Sequence, residues 1–185
     1  MTPKEGAGLS ITEWVVLGLL AEERAHGFAL ARDLSRETPL GQVWTVPRPM
    51  VYRAIGRLVE QGFVTEVGEE PGGPGPTRMI YEATGRGTQA AARWRAEPVR
   101  HLRDMRAAFL AKVLLRQRAG EPVGPLVAEQ RSVFEPLFQR MADQFATGEG
   151  ERVVTAWRYE SCQAVVRLLH SVAALDRSGA ARPSG

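Results

Sequence analysis

The sequence predicts a mostly α-helical protein with one small β-hairpin: three helices and the hairpin form an N-terminal domain, and a helical region follows. Three observations predict this. Apolar residues recur at helical spacing on both sides of a single stretch rich in β-formers. That stretch is split by GEEPGGPGPT, residues 68–77, a turn-rich block unsuited to a helix or a central strand. The composition is that of a globular chain, with 44% hydrophobic and 24% charged residues among 185.

The elements follow in order. Residues 1–8 read as a loose tail. Ser10 or Thr12 caps the first helix, with Glu13 supporting its first turn. Ile11, Trp14, Val15, Leu17, Leu19 and Leu20 make this helix too apolar for a surface position, so it is expected at the centre of its domain. Gly27 breaks the chain after EERAHG. The second helix, FALARDLSRE, turns Phe28, Leu30, Ala31 and Leu34 to its apolar side and stops at TPLG.

The third helix lies in WTVPRPMVYRAIGRLVEQGFV, residues 44–64. A proline is tolerated in a first helical turn, where its missing N–H has no partner to lose. Either Thr45 caps a helix starting near Pro47, or the helix starts at Pro49. Val51, Ile55, Leu58 and Val59 share one face, while Met50, Arg53, Ala54, Arg57 and Gln61 share the opposite one. Gly62 is the stop. FVTEV and RMIYEAT then pair as a hairpin around the turn-rich block. Thr84 caps GRGTQAAARWRAE, which Pro98 ends or kinks.

Three longer amphipathic segments complete the chain. Residues 99–118 carry Leu102, Met105, Phe109 and Val113. Residues 125–146 carry Phe134, Leu137, Phe138, Met141 and Phe145. Residues 150–177 carry Val154, Trp157, Val165, Leu168, Leu169, Val172 and Leu175, and RSGAARPSG reads as a frayed end. Their combined apolar stripe exceeds what three helices hide among themselves, and burial between two chains removes it from water at ~25 cal/mol per Å². A homodimer is therefore expected, with residues 150–177 as its main interface. The domain boundaries drawn from the pattern are 9–95 and 96–178.

Helix, helix, helix, hairpin is the order of a winged helix-turn-helix domain, whose third helix lies in the DNA major groove. Such a helix needs one apolar side for the domain and one positive side for the duplex. HGFAL, VYRAIGRLVEQGFV and RMIYEATGRG resemble the PadR family of bacterial transcriptional regulators. Gly27 and Phe28 match its first motif. Tyr52, Ile55, Leu58 and Gly62 match the second, and Arg78, Tyr81, Thr84 and Gly87 the third. The resemblance covers roughly residues 9–95, and the rest fits the helical C-terminal region of longer members. It implies a dimeric repressor that responds to a small effector; the lack of a membrane-length apolar run and of a signal-peptide pattern at the start makes the cytoplasm the expected location. It also implies a phosphate contact from the Tyr52 hydroxyl. Some members stack flat ligands between tryptophans, which makes Trp157, with Phe109, Phe138 and Met141, the candidate effector residues. The chain departs from the family in PRPM ahead of the tyrosine, so its base contacts are its own. It departs again in the acidic Glu69 and Glu70 of the wing, which leave wing contact to Arg78 and Thr77.

The charge pattern sharpens the candidate DNA face. Residues 1–95 hold eleven basic and eleven acidic side chains, so positive surface must come from placement. Residues 44–64 hold Arg48, Arg53 and Arg57 against Glu60 alone. Arg53 and Arg57 lie one turn apart, away from the apolar stripe, and a guanidinium fork suits phosphates and guanine edges. The expected partner is double-stranded DNA, contacted by Arg48, Met50, Tyr52, Arg53, Arg57, Thr77 and Arg78. The rival expectation is a winged-helix module that binds protein instead, motivated by the neutral N-terminal half and the acidic wing.

Other chemistry finds no support. His26, His101 and His170 have no ligand-like spacing to one another or to Cys162, so no metal and no cofactor is expected. No phosphate loop, nucleophile elbow or paired-carboxylate pattern points to an enzyme. No apolar run reaches the ~20 residues of a membrane span. The single cysteine forms no internal disulfide, in keeping with a reducing compartment.

Overall fold

The computed structural model describes residues 8–72 and 75–180, so most of the expected N-terminal tail and the last five residues lie outside the described residues. The structure is mostly helical with a small antiparallel sheet, and it divides into two compact units. The first comprises residues 1–96 with 110–119, and the second comprises 97–109 with 120–185.

In the first unit, α1 (Ile11–Glu22) is the central helix. Ser10 caps it: the Glu13 N–H donates to Ser10 Oγ at 3.3 Å, and the Ser10 N–H donates to Glu13 Oε2 at 2.6 Å. This reciprocal box satisfies two amide donors that a helix start otherwise leaves open. Val15, Val16, Leu17, Leu19 and Leu20 are buried, so the helix is enclosed on nearly every side, as its sequence predicts. It packs against α4 (Arg48–Glu60) and α5 (Gly85–Ala96).

Between α1 and α4 lie β1 (Ala25–His26), α2 (Gly27–Asp33) and α3 (Pro39–Val43). Helix α3 is absent from the sequence expectation, which ends a helix at TPLG. Thr38 caps it instead, accepting from the Gly41 N–H at 3.0 Å, and Pro39 opens its first turn. Helix α4 begins at Arg48, with Pro47 at its cap position and no side-chain cap bond. Thr45 does not cap it; the Thr45 hydroxyl donates to the Gly41 carbonyl at 2.6 Å and so closes α3. Gly62, at φ 71°, reverses the chain after α4, a conformation that favours glycine.

The hairpin strands β2 (Val64–Gly72) and β3 (Gly75–Ala83) run through most of the block expected to be loop. The sheet order is β1-β3-β2, so β2 is an edge strand. That position explains how Pro71 fits, since an edge strand tolerates a residue without an N–H. Register shifts at Glu66/Gly68 and Glu70/Gly72 bend the ribbon. The Thr84 hydroxyl donates to the Gly62 carbonyl at 2.9 Å and accepts from the Gly87 N–H at 3.1 Å, joining the base of the hairpin to α5.

Helix α6 (Leu110–Arg118) completes this unit. Trp94 of α5 stacks on Trp14 of α1 with ring centres 5.5 Å apart, and the ammonium of the buried Lys112 sits 4.8 Å from the Trp94 ring centre. A cation over an indole face is a favourable way to bury charge. Arg118 Nε lies 2.9 Å from Glu22 Oε2, tying α6 to the end of α1. Burial still outweighs this pairing and raises the Glu22 carboxyl above its usual range.

The second unit holds α7 (Gly124–Thr147) and α8 (Arg152–Ala180), preceded by a 3-10 turn (Leu102–Asp104) and a π turn (Met105–Phe109). The two long helices run antiparallel. Asp176, late in α8, accepts from the Val123 and Gly124 N–H groups at 3.3 and 2.9 Å, while Phe145 and Tyr159 stack at 4.4 Å at the other end. The fully buried Gln130 exchanges two hydrogen bonds with the Val99 backbone, at 2.7 and 2.9 Å, so its amide is satisfied.

Cys162 is 2% exposed in α8, and burial pushes its thiol above the usual range. The neutral thiol is a poor nucleophile. The expected outcome is labelling by a thiol reagent at pH 7.5 roughly 100-fold slower in the native protein than in denaturant, read by absorbance of the released thiolate.

Candidate nucleic-acid interface

Helix α4 divides cleanly between core and solvent. Val51, Ile55 and Leu58 are buried against the domain. Ala54 joins them at 4% exposure, which corrects its expected place on the outer face: the apolar stripe is one residue wider than the spacing implies. Pro49, Met50, Tyr52, Arg53, Gly56, Arg57 and Glu60 are exposed. No hydrogen bond or ion pair holds Arg53 among the described residues. Gly56, in the middle of this surface, has no atom within 4 Å of where a Cβ would stand, so the helix is flat there.

Arg57 is not free in the same way. Its Nε lies 3.0 Å from Oε1 of Glu13, whose side chain is 3% exposed, while Arg57 itself is 53% exposed. The carboxylate thus caps α1 with one oxygen and holds α4 with the other. A buried carboxylate requires such a partner, so Arg57 anchors the domain while its outer nitrogens reach solvent. Sequence spacing gives no sign of this pairing, because the two residues lie on different helices.

The remaining site residues gather where α2, α4 and the hairpin meet. The Arg48 guanidinium lies 5.1 Å from the Phe28 ring centre and 5.7 Å from that of Tyr52. The Arg78 guanidinium lies 5.2 Å from the Phe28 ring centre. His26 Nδ1 accepts from the Ala29 N–H at 2.9 Å, and Nε2 of the same ring lies 3.4 Å from Arg78 Nη1. Gly27 makes room for Tyr52: a Cβ there would stand 2.5 Å from Tyr52 Cε1. These side chains and Thr77 line a shallow cavity of about 350 Å³. Nearby, burial raises the Tyr81 phenol, and the Glu66 carboxylate adds to the shift. Along the hairpin, Glu70 is in register with Arg78.

The structure therefore brings Arg48, Tyr52, Thr77 and Arg78 into one place, with Met50, Arg53 and Arg57 on the outward surface of the same helix. Sequence reasoning missed His26 and Phe28 as members of this cluster. The HGF motif was the available signal, since its glycine and aromatic have no periodic reason to adjoin a helix start.

The candidate effector residues all lie in the second unit. Phe109 is fully buried, Met141 is nearly so, and Phe138 meets Phe134 edge-on at 5.7 Å. Trp157 is 70% exposed. No group of three or more His, Cys, Asp or Glu side chains among the described residues is placed to hold a metal ion. No helix among the described residues is long and apolar enough to cross a membrane.

Residues 16–93 match the family described as Transcriptional regulator PadR-like. No curated protein matches the chain. Among solved structures, it is similar to Bacillus subtilis PadR in complex with operator DNA, at 17% identity and a TM-score of 0.47, over 91% of this chain and 99% of that one. It is similar to smu.1604c of Streptococcus mutans at 17% identity and a TM-score of 0.42, over 86% of this chain and 96% of that one. Bacillus subtilis PadR in complex with p-coumaric acid matches at 19% identity and a TM-score of 0.39, over 90% and 96% of the two chains.

Proposed function

We propose, from the premise that residues 16–93 belong to the PadR-like family of transcriptional regulators, that the chain is a dimeric, sequence-specific DNA-binding repressor. The observation that carries this reading is the outward surface of α4. It is backed by a packed apolar side, flat at Gly56, bears the unpaired Arg53, and borders the Arg48 and Arg78 pair. An exposed helix of this kind suits the major groove, where arginine pairs with guanine edges. Glycine in a helix interior costs about 0.5–1 kcal/mol relative to alanine, and close approach of a partner to the backbone offsets that cost. A gel shift with the duplex upstream of the protein's own gene tests the reading. A retarded complex that unrelated duplex does not displace supports it, and no complex refutes it.

Dimerisation is supported by the α8 surface. Val153, Val154 and Trp157 share one side near its start and are all exposed, and Leu175 is exposed near its other end. An exposed apolar cluster such as Val153, Val154 and Trp157 marks an interaction site. In this reading Trp157 is an apolar anchor between two copies. Trp157→Glu is expected to shift the molecular weight measured by light scattering from dimer toward monomer, without loss of helical signal. Relief of repression by a small effector belongs to the same reading, and requires the effector to bind one dimer arrangement more tightly than another.

A further inference from the structure

The cavity between α2, α4 and the hairpin has an organisation that the outward face of α4 does not explain. Arg48 comes from the recognition helix and Arg78 from the hairpin, yet both guanidinium groups lie against the ring of one residue, Phe28, at 5.1 and 5.2 Å from its centre. Phe28 is 43% exposed, so it contributes little to the core. A guanidinium resting by its face on a ring keeps its N–H edges available. Two like charges are thus drawn to a common point by an uncharged platform, with no carboxylate in the cavity lining to neutralise them.

His26 adds a third donor. Its Nδ1 is occupied as the acceptor for the Ala29 N–H, so in the neutral ring the proton sits on Nε2. Nε2 then faces Arg78 Nη1 at 3.4 Å with a hydrogen on each nitrogen. Two donors do not bond each other, which leaves both hydrogens open to one acceptor placed between them. The Tyr52 and Thr77 side chains line the same cavity, whose 350 Å³ admits a group the size of a phosphate.

We propose that this cavity seats one backbone phosphodiester of the bound duplex, and that Phe28 is the positioning residue that aims Arg48 and Arg78 at it. The proposal rests on the DNA-binding reading above. It adds that the hairpin and the recognition helix act on the same phosphate through one aromatic, so that the wing is indexed to the helix.

Binding of the full-length protein to a labelled duplex from upstream of its gene is measured across a salt series for wild type, Phe28→Ala and Phe28→Trp. Thermal melting confirms that both variants fold. Phe28→Ala is expected to bind about 10- to 100-fold more weakly at moderate salt. Its log–log salt slope is expected to be shallower by about two, since each phosphate contact contributes about 0.9 and a dimer carries two such seats. Phe28→Trp is expected to restore both values, because a larger ring offers the same platform. Wild-type affinity and slope in Phe28→Ala overturn the proposal while leaving DNA binding intact. Weakened binding with an unchanged slope also overturns it, since that pattern marks a lost base or apolar contact. A wild-type protein that binds no duplex removes the reading beneath it as well.

Discussion

Replacing Arg53 by glutamate is expected to weaken binding to the upstream duplex by about 100-fold or more while leaving the melting temperature unchanged. The first part follows from position. Arg53 stands on the outward side of α4 with no partner among the described residues, so its guanidinium is available to the groove. A specific arginine contact is worth about 1–3 kcal/mol, and reversing the charge adds repulsion from phosphate. The second part follows from exposure, since surface substitutions away from special features stay within about 0.5 kcal/mol. Anisotropy titration and a thermal melt read the two parts separately. Arg57 serves the purpose less well. Its removal leaves the Glu13 carboxylate buried without its ion pair, so weaker binding by Arg57→Ala mixes lost contact with a loosened α1–α4 junction.

Replacing Gly41 by alanine is expected to have the largest effect on stability, a loss of about 3 kcal/mol or more. The added Cβ would stand 1.7 Å from the Ser35 carbonyl oxygen and 2.9 Å from the Leu34 carbonyl carbon. Those are backbone atoms, and the turn before α3 must move to relieve the clash. Overpacking costs typically about 1–3 kcal/mol even where side chains adjust, and here no side chain can. Gly18→Ala is the informative comparison, because its nearest obstacle, at 2.7 Å, is the end of the Leu115 side chain. That contact is relieved by a rotamer change, so a smaller loss is expected. Chemical denaturation of Gly41→Ala, Gly18→Ala and wild type ranks the three; a Gly41→Ala protein as stable as wild type contradicts the packing described for α3.

How far the sequence discloses this arrangement depends on the range of the interaction. Local signals read correctly: the Ser10–Glu13 box, the Gly62 reversal, the Thr84 cap and the apolar side of α4 are each set by residues a turn or two apart. Helix α3 escapes because five residues are too few to show a period, although Thr38 followed by Pro39 carries the cap chemistry. The strands extend past their expected ends because an edge position makes Pro71 acceptable, and edge or centre is a property of the sheet, not of the segment. Helix α6 has an amphipathic stripe that does not say which elements it packs against. Lys112 lies within that stripe, and its place over Trp94 becomes visible only in three dimensions.

The candidate site divides in the same way. The outward arginines of α4 follow from periodicity, and Tyr52 and Arg78 from family motifs. The Glu13–Arg57 pair and the platform of Phe28 beneath two arginines join residues far apart in the chain, and no spacing rule encodes them. Charge counts mislead for a related reason. A neutral N-terminal half conceals positive surface, because acidic residues such as Glu13 and Glu22 are turned inward or paired.

The most direct test of the central claim is the salt dependence of wild-type binding to the duplex upstream of its gene. Displacing counterions from several phosphates at each of two helices gives a log–log slope of about −4 or steeper. A slope near zero, or no binding at any salt concentration, contradicts the account and favours a winged module that contacts protein instead.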